Sequence, residues 1–177
     1  NKVWPYWAAA RADTVRQWPE LFEALVRQTN WNTVSIGFES GSDRILKAMG
    51  KAHTTETALV SIKNMYKYGI KSLGTFMAGF PGEMENDIAD TRQYIKKIFP
   101  YIFELDCGIC IIETNSEMQE NPEKFGIKNL RPKNKDFISY ENLPRLAFMF
   151  DEINGLKWKR KRKQQILSQK RVVCAIK

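Results

Sequence analysis

The chain has 177 residues, of which 43% are hydrophobic and 12% aromatic. This is enough apolar material for one domain with its own core, and it excludes a disordered or fibrous protein. No apolar run approaches the roughly 18 residues of a membrane-spanning helix, and residues 1–13 do not resemble a signal peptide, so we expect a cytoplasmic protein without a membrane span. The cysteines, Cys107, Cys110 and Cys174, are then expected to be reduced thiols.

The net charge of +8 is confined to one end of the chain. Residues 155–177 hold nine of the 28 basic residues and none of the 20 acidic ones, which leaves residues 1–154 with 19 basic and 20 acidic residues. A neutral body argues against a nucleic-acid-binding face spread over the fold. The basic tail is interpreted as a solvated terminal helix, as a contact with a neighbouring domain or, with least support, as a nucleic-acid contact.

Four short apolar stretches predict strands that are buried on both faces of a sheet. They are residues 3–12, 33–40, 72–80 and 103–112. Apolar residues at helical spacing predict helices between these strands, around residues 18–26, 58–66 and 88–98, with Gly69 as the cap of the second. This alternation predicts parallel βαβ units: an α/β fold with about four parallel strands and flanking helices, in an open sheet or a partial (βα) barrel.

Polar residues and glycines follow the predicted strands at their carboxyl ends. Arg11 and Asp13 follow the first strand, Glu39 and Ser40 the second, GFPGE (residues 79–83) the third, and residues 113–115 the fourth. Any one of these groups would also serve as a helix cap or a turn. Because ligands of α/β sheets bind beyond the carboxyl ends of the strands, the four together predict a binding site at one edge.

Three segments carry a resemblance to a known family. WAAARAD (residues 7–13), VSIGFESGSDRILKAMGK (34–51) and GTFMAGFPGEMENDIADT (74–91) resemble the later half of the radical S-adenosylmethionine (SAM) domain. The resemblance extends over about residues 4–127 and is strongest to the cobalamin-associated branch that includes anaerobic magnesium-protoporphyrin IX monomethyl ester oxidative cyclases. It implies a radical SAM half-barrel that cleaves SAM reductively and starts radical chemistry on a small organic substrate, with oxidative cyclisation of a tetrapyrrole as one candidate.

The resemblance also implies cofactors and their contacts. The cofactors are SAM and a [4Fe–4S] cluster, with cobalamin as a further candidate. Glu39 would accept a hydrogen bond from the amino group or ribose of SAM, and Lys51 would face its carboxylate. An ion pair of Glu39 with Arg11 or Lys51, and a plain turn at residues 79–82, are the structural alternatives. The full set of implied cofactor-binding residues is Arg11, Glu39, Ser40, Lys51, Gly79, Phe80, Pro81, Gly82, Ile111 and Ile112, the last two flanking the adenine.

One part of the family pattern does not occur in these 177 residues: the CxxxCxxC run that holds the cluster. Cys107 and Cys110 are expected to be core cysteines, because residues three apart on a strand face opposite sides. No metal ligand and no catalytic residue is assigned. His53, the single histidine, is expected to lie at the surface or in a helix cap.

The sequence is consequently interpreted as the later part of a barrel over residues 1–140 and a C-terminal helical extension with a basic tail over residues 141–177. The expected partners are a small organic substrate and an N-terminal domain of the same protein. Alone, the chain is expected to be inactive and to self-associate through its first strand or cover that strand with the C-terminal segment.

Two other classes of function remain open. A half-barrel binding or scaffold module without a cluster would explain the absent cysteines. An RNA-directed radical SAM methylthiotransferase shares the strand pattern, but that branch shows glutamine where Glu39 stands. Nucleic acid is accordingly an unlikely partner.

Overall fold

The computed structural model describes residues 7–12, 19–28, 33–132 and 147–174. Parts of the predicted first strand and first helix, Asp13 and the last three residues lie outside these ranges. The strands are β1 (Trp7–Arg11), β2 (Thr33–Glu39), β3 (Lys71–Ala78), β4 (Glu104–Ile109), β5 (Ile112–Glu113), β6 (Ile127–Pro132) and β7 (Ala147–Glu152). The helices are α1 (Pro19–Gln28), α2 (Asp43–Ala48), α3 (Thr55–Lys67), α4 (Glu85–Ile98), α5 (Glu117–Glu120) and α6 (Trp158–Val173), with 3₁₀ turns at Phe99–Tyr101 and Pro122–Phe125.

The first sheet contains four parallel strands in the order β1-β2-β3-β4. Ala9 pairs with Ser35, Ile36 with Gly74, and Phe76 with Cys107. Each crossover steps to the next strand in one direction, as in a (βα) barrel, whereas an open doubly wound sheet reverses its strand order. The predicted α/β fold with four parallel strands and flanking helices is therefore confirmed.

The helices pack on one face of this sheet. Alternate β2 residues, Val34, Ile36 and Phe38, are at most 1% exposed and belong to one apolar cluster with residues of α3, α4 and α6, because neighbouring strand residues point to opposite faces. α3 begins at a capping box between Thr54 and Thr57, and the predicted glycine cap follows it with a positive φ of 74°. The opposite face of β2 carries small and polar residues, and this is the face that bears the site.

A second, antiparallel sheet has the order β5-β7-β6. It corrects the prediction of one strand over residues 103–112: β4 ends at Ile109, and Ile112 pairs with Phe148 of β7 instead. The cause is that β3 itself ends at Ala78, the partner of Ile109, so residues after Cys110 have no strand to pair with in this sheet. Residues 147–152, placed in a helical extension by the sequence, form a central strand of this second sheet.

The basic tail is part of the folded body. α6 contacts β3, β4 and α4, and its Val172 belongs to the main core cluster. α6 therefore lies toward the β4 edge. Self-association through β1, or its cover by the C-terminal segment, stays a prediction. Among the residues that the structure describes, no helix has the length and apolarity to cross a membrane.

Candidate functional site

A cavity of about 570 Å³ lies at the carboxyl ends of β1 and β2, on the sheet face opposite the helices. Small side chains form its floor: Ala9, Ser35, Gly37 and Thr75. Charged and polar side chains at the rim are Arg11, Glu39, Lys51 and His53. The strand exits therefore meet at one edge, as predicted, and those of β1 and β2 enclose a space of the size of typical small-molecule sites.

Glu39 occupies a special backbone position at the end of β2. Its φ of 63° lies in the left-handed region, which costs energy for a non-glycine residue and is concentrated at functional sites. The pairing register shifts there, since Gly37 pairs with Thr75 but Glu39 with Phe76. A Cβ at Gly37 would lie 2.7 Å from Glu39 Oε1. The glycine thus leaves room for the carboxylate to turn back over the sheet and line the cavity.

Lys51 approaches Glu39 from the loop between α2 and α3. Its Nζ donates to Glu39 Oε1 at 2.9 Å, and its backbone N–H donates to Leu46 O, which closes the end of α2. Leu46 is 1% exposed, so the loop is anchored in the core. One structural alternative for Glu39, an ion pair with Lys51, is therefore present. Both partners line the cavity, and the lysine keeps 37% of its side chain exposed.

His53 and Arg11 complete the charged rim. The expectation that His53 lies at the surface or in a cap is wrong in its first half: the residue is 6% exposed, and its Nε2 lies 3.5 Å from Phe38 O. The histidine is buried because the loop after Lys51 turns under the end of β2 before α3 begins. Among the described residues that line the cavity, Arg11 and Lys51 are cations and Glu39 is a carboxylate, so the wall offers both charges to a ligand.

Ser40 points away from the cavity. It is 1% exposed, its Oγ lies 3.3 Å from Thr91 Oγ1 of α4, and it accepts the Ser42 N–H at 3.1 Å. Ser42 in turn donates to Asp87 Oδ1 at 2.7 Å. Through these bonds Ser40 holds the exit of β2, next to Glu39, against α4. It does not line the cavity.

The GFPG turn, residues 79–82, lies at the same sheet edge as Glu39, because β2 and β3 are adjacent and parallel. This placement confirms the predicted geometry. However, the turn does not line the cavity. Phe80 and Pro81 are buried, the Gly79 N–H donates to Glu83 Oε2 at 2.7 Å, and the Gly82 N–H donates to Glu152 Oε1 at 2.9 Å.

Two carboxylates beside this turn have pKa values shifted in opposite directions. Burial raises the pKa of Glu83 to about 7, and this outweighs the hydrogen bond from Gly79 and the attraction of Lys161. Burial also acts to raise the pKa of Asp87, but hydrogen bonds from Arg44, Ser42 and the Met84 N–H outweigh it, so that pKa is lowered. Asp87 is thus an anion that holds Arg44, whereas Glu83 titrates near neutral pH.

The isoleucines expected at the adenine occupy different environments. Ile111 is 43% exposed, while Ile112 is fully buried in the cluster of the second sheet with Ile127 and Phe150. The Ile112 side chain therefore packs in the core of the second sheet. An adenine contact of Ile111 stays a prediction.

The cysteines do not form a metal site. Cys107 and Cys110 are 4% and 3% exposed, they belong to different core clusters, and burial raises both pKa values to about 12. Within the described ranges, no group of three or more His, Cys, Asp and Glu residues could hold a metal ion. The described residues therefore offer no ligand set for a [4Fe–4S] cluster.

The sequence did not predict that buried polar side chains of α6 bind the strand exits. Lys161, Gln165, Ser168 and Val172 are all buried, although they stand in a run of basic and polar residues. Their spacing of four, three and four residues is a helical stripe, and this was the available signal.

Known proteins match about half of the chain. Residues 9–95 match the model of the Radical SAM superfamily. An uncharacterized methyltransferase of Pyrococcus horikoshii is 32% identical over 91 residues, which is 51% of this chain and 19% of that protein. A tRNA-2-methylthio-N(6)-dimethylallyladenosine synthase of Ehrlichia chaffeensis is 39% identical over 81 residues, which is 44% of this chain and 18% of that protein. The chain thus spans about a fifth of the length of these relatives.

Solved structures match nearly the whole chain in fold. The cobalamin-dependent SAM radical enzyme OxsB, with aqua-cobalamin bound, has a TM-score of 0.64 at 15% identity and aligns with 96% of this chain and 29% of its own. The radical SAM methyltransferase TsrM from Kitasatospora setae has a TM-score of 0.61 at 12% identity and aligns with 97% of this chain and 36% of its own. Residues 9–95 are therefore similar to the Radical SAM superfamily, and the four parallel strands with flanking helices have the fold seen in OxsB and TsrM.

Proposed function

We propose that the cavity between the exits of β1 and β2 binds SAM, and that the chain forms part of the catalytic barrel of a radical SAM enzyme acting on a small organic substrate. The observation that carries this proposal is the Glu39–Lys51 pair on the cavity wall, 2.9 Å apart above a floor of small side chains.

The chemistry of SAM matches this wall group by group. Its ammonium and ribose hydroxyls donate hydrogen bonds, and Glu39 offers a carboxylate to accept them. Its carboxylate needs a cation, and Lys51 and Arg11 stand at the same rim. The ion pair of Glu39 and Lys51 does not oppose such binding, because a ligand with both charges can insert between them and keep each charge compensated.

The reaction class is inferred from the relatives. Their names describe a methyltransferase and a tRNA methylthio synthase, and TsrM is a methyltransferase. These names support methyl or methylthio transfer, including transfer to RNA, at least as well as the tetrapyrrole cyclisation that the sequence resemblance implied. Glu39 is the residue that argues against the RNA-directed branch, which usually has glutamine at this position by the sequence resemblance.

Two further cofactors are implied, but no described residue is assigned to bind them. A radical SAM domain implies a [4Fe–4S] cluster, which supplies the electron that cleaves SAM; no residue of this chain is assigned to it. Cobalamin is a further candidate because OxsB and TsrM bind it.

Calorimetric titration of the protein with SAM tests the site. We expect Glu39→Gln to weaken binding about tenfold or more, because one charge-assisted hydrogen bond contributes about 1.5 to 3 kcal/mol. Glu117→Gln is the matched control, since Glu117 forms an exposed ion pair with Lys124 outside the cavity and its loss should leave the affinity unchanged. Equal affinities of wild type and Glu39→Gln would refute the site.

Product analysis of the full-length protein separates the reaction classes. After reconstitution with iron and sulfide and addition of a reductant, methyl or methylthio transfer is expected to yield S-adenosylhomocysteine besides deoxyadenosine. A cyclase would yield deoxyadenosine alone. A protein that takes up no cluster and yields neither product would favour the scaffold module.

A further inference from the structure

The face of α6 that packs on the sheet is polar. Lys161 and Gln165 are 0% exposed, and Ser168 is 1% exposed. A helix that only needed to cover the sheet would bury apolar side chains, because burying polar groups costs free energy unless each finds a partner. The partners of these side chains therefore indicate what the helix does.

Side chains of α6 donate hydrogen bonds to backbone carbonyls at the exits of β3 and β4. Gln165 Nε2 bridges the two exits, donating to Gly79 O at 3.1 Å and to Cys110 O at 3.0 Å. Lys161 Nζ donates to Phe80 O at 3.0 Å. Gln164 and Gln169 add bonds to Glu83 O at 3.2 Å and Cys107 O at 2.7 Å. One helix thus holds two strand exits at a fixed separation.

Lys161 also forms an ion pair with Glu152, which binds the end of the GFPG turn. Its Nζ lies 2.8 Å from Glu152 Oε1, and the same oxygen accepts the Gly82 N–H at 2.9 Å. Phe80 and Gly82 are therefore both bound by this ion pair, whose lysine side chain is 0% exposed and whose carboxylate side chain is 11% exposed. Buried charge networks of this kind are directional, and they fix geometry more than they add stability.

The backbone of the turn is shaped to receive Gln165. Gly79 has a φ of 79°, and a Cβ at this position would collide with the side chain of Gln165. The amide is retained although its Oε1 is buried without a hydrogen-bond partner among the described residues, a cost that leucine would avoid. The two hydrogen bonds that Gln165 donates thus explain why an amide side chain stands at this position.

We infer that Gln165 and Lys161 are positioning residues: through α6 they fix the β3 exit relative to the β4 exit, and thereby the neighbouring β2 exit, because Glu39 on the cavity wall pairs with Phe76 of β3. This inference rests on the proposed binding of SAM. It assigns to α6 a role inside the barrel, namely support of the strand exits beside the ligand cavity.

The test compares two variants of α6 in the intact protein. Gln165→Met keeps the length of the side chain but removes both donors, whereas Val172→Ala removes apolar packing from the same helix. We expect Gln165→Met to speed amide exchange of residues 79–83 about tenfold and to weaken SAM binding about tenfold, the effect of about 1.4 kcal/mol. Val172→Ala is expected to lower the melting temperature while leaving both quantities near the wild-type values.

Equal exchange and affinity in the two variants would overturn the inference. If Gln165→Met does not fold, Gln164→Met serves instead, because it removes the bond to Glu83 O from a half-buried position. It should speed amide exchange of residues 79–83 and weaken SAM binding about threefold each. Amide exchange reports on the turn without ligand. A wild type that binds no SAM would therefore refute the proposed function and the ligand role, while faster exchange in Gln165→Met would still establish the clamp.

Discussion

The exits of β2 and β3 are neighbours in one parallel sheet, and both carry a residue with positive φ, Glu39 and Gly79. They differ in what lies above them. The β2 exit opens on the cavity, where Glu39 and Lys51 line the wall. The β3 exit is covered by α6, whose Gln165 is 86 residues further along the chain. Two similar strand exits therefore differ in their surroundings: one places charged side chains on the wall of an open cavity, and the other is held in place by a distant helix.

The largest effect is expected from breaking the ion pair above the β3 exit. Glu152→Ala leaves the fully buried Lys161 without its carboxylate, and removing one partner of a buried pair costs about 3 to 5 kcal/mol. Urea denaturation measures the loss. The double variant Glu152→Ala, Lys161→Met removes the stranded charge and should recover part of it; no recovery would show that the pair does not act as a unit.

The pH dependence of stability should be dominated by Glu83 at the same exit. Because burial raises its pKa from 4.5 to about 7, the folded protein retains the proton while the unfolded chain loses it. The free energy of unfolding should therefore fall as pH rises from about 4.5 to about 7, by up to about 3 kcal/mol. Asp87 acts in the other direction and only at acid pH, since its pKa is lowered from 3.8.

The matched variant is Glu83→Gln, which keeps an acceptor for the Gly79 N–H but cannot titrate. Its stability should be flat between pH 4.5 and 7 in denaturation curves measured at several pH values. An unchanged slope in this variant would assign the pH dependence to another group.

At the open exit a smaller and more selective effect is expected from Gly37→Ala. The new Cβ would lie 2.7 Å from Glu39 Oε1, so the flexible carboxylate must move away from Lys51. We expect SAM affinity to fall about tenfold with less than about 1 kcal/mol lost in stability. Gly108→Ala in β4, where a Cβ meets its nearest atom, Phe76 O, at 4.0 Å, is the control; the same affinity in both variants would contradict the role of Gly37.

The smallest effect concerns the thiols beneath the covered exit. Because burial raises the pKa values of Cys107 and Cys110 to about 12, both should react slowly with a disulfide reagent at pH 8, whereas the exposed Cys174 reacts fast. Cys107→Ser should leave the iron content of the reconstituted protein unchanged. Three fast thiols in the native protein, or a loss of iron in that variant, would reopen the assignment as core cysteines.

The open exit could be predicted from the sequence because its signals are local. Glu39 follows an apolar strand directly, Lys51 closes the next short helix, and parallel pairing brings them to one edge. The burial of His53 could not be predicted, since it depends on the path of a loop under β2.

The covered exit depends on contacts between distant residues. The run KWKRKRKQQ is typical of a solvated helix, and only the tertiary structure shows that Lys161 and Gln165 find carbonyl and carboxylate partners. The end of β4 at Ile109 was missed for the same reason, because the apolar residues 110–112 fit either sheet until β7 is present to pair with Ile112.

A crystal structure of the protein with SAM bound tests the difference between the two exits most directly. We expect density for the ligand in the cavity at the β1 and β2 exits, with its amino group or ribose within hydrogen-bond distance of Glu39 and its carboxylate facing Lys51 or Arg11, while Gln165 stays on Gly79 O. Ligand density elsewhere, or a Glu39–Lys51 pair that remains closed with SAM bound at another surface, would contradict the assignment of this cavity.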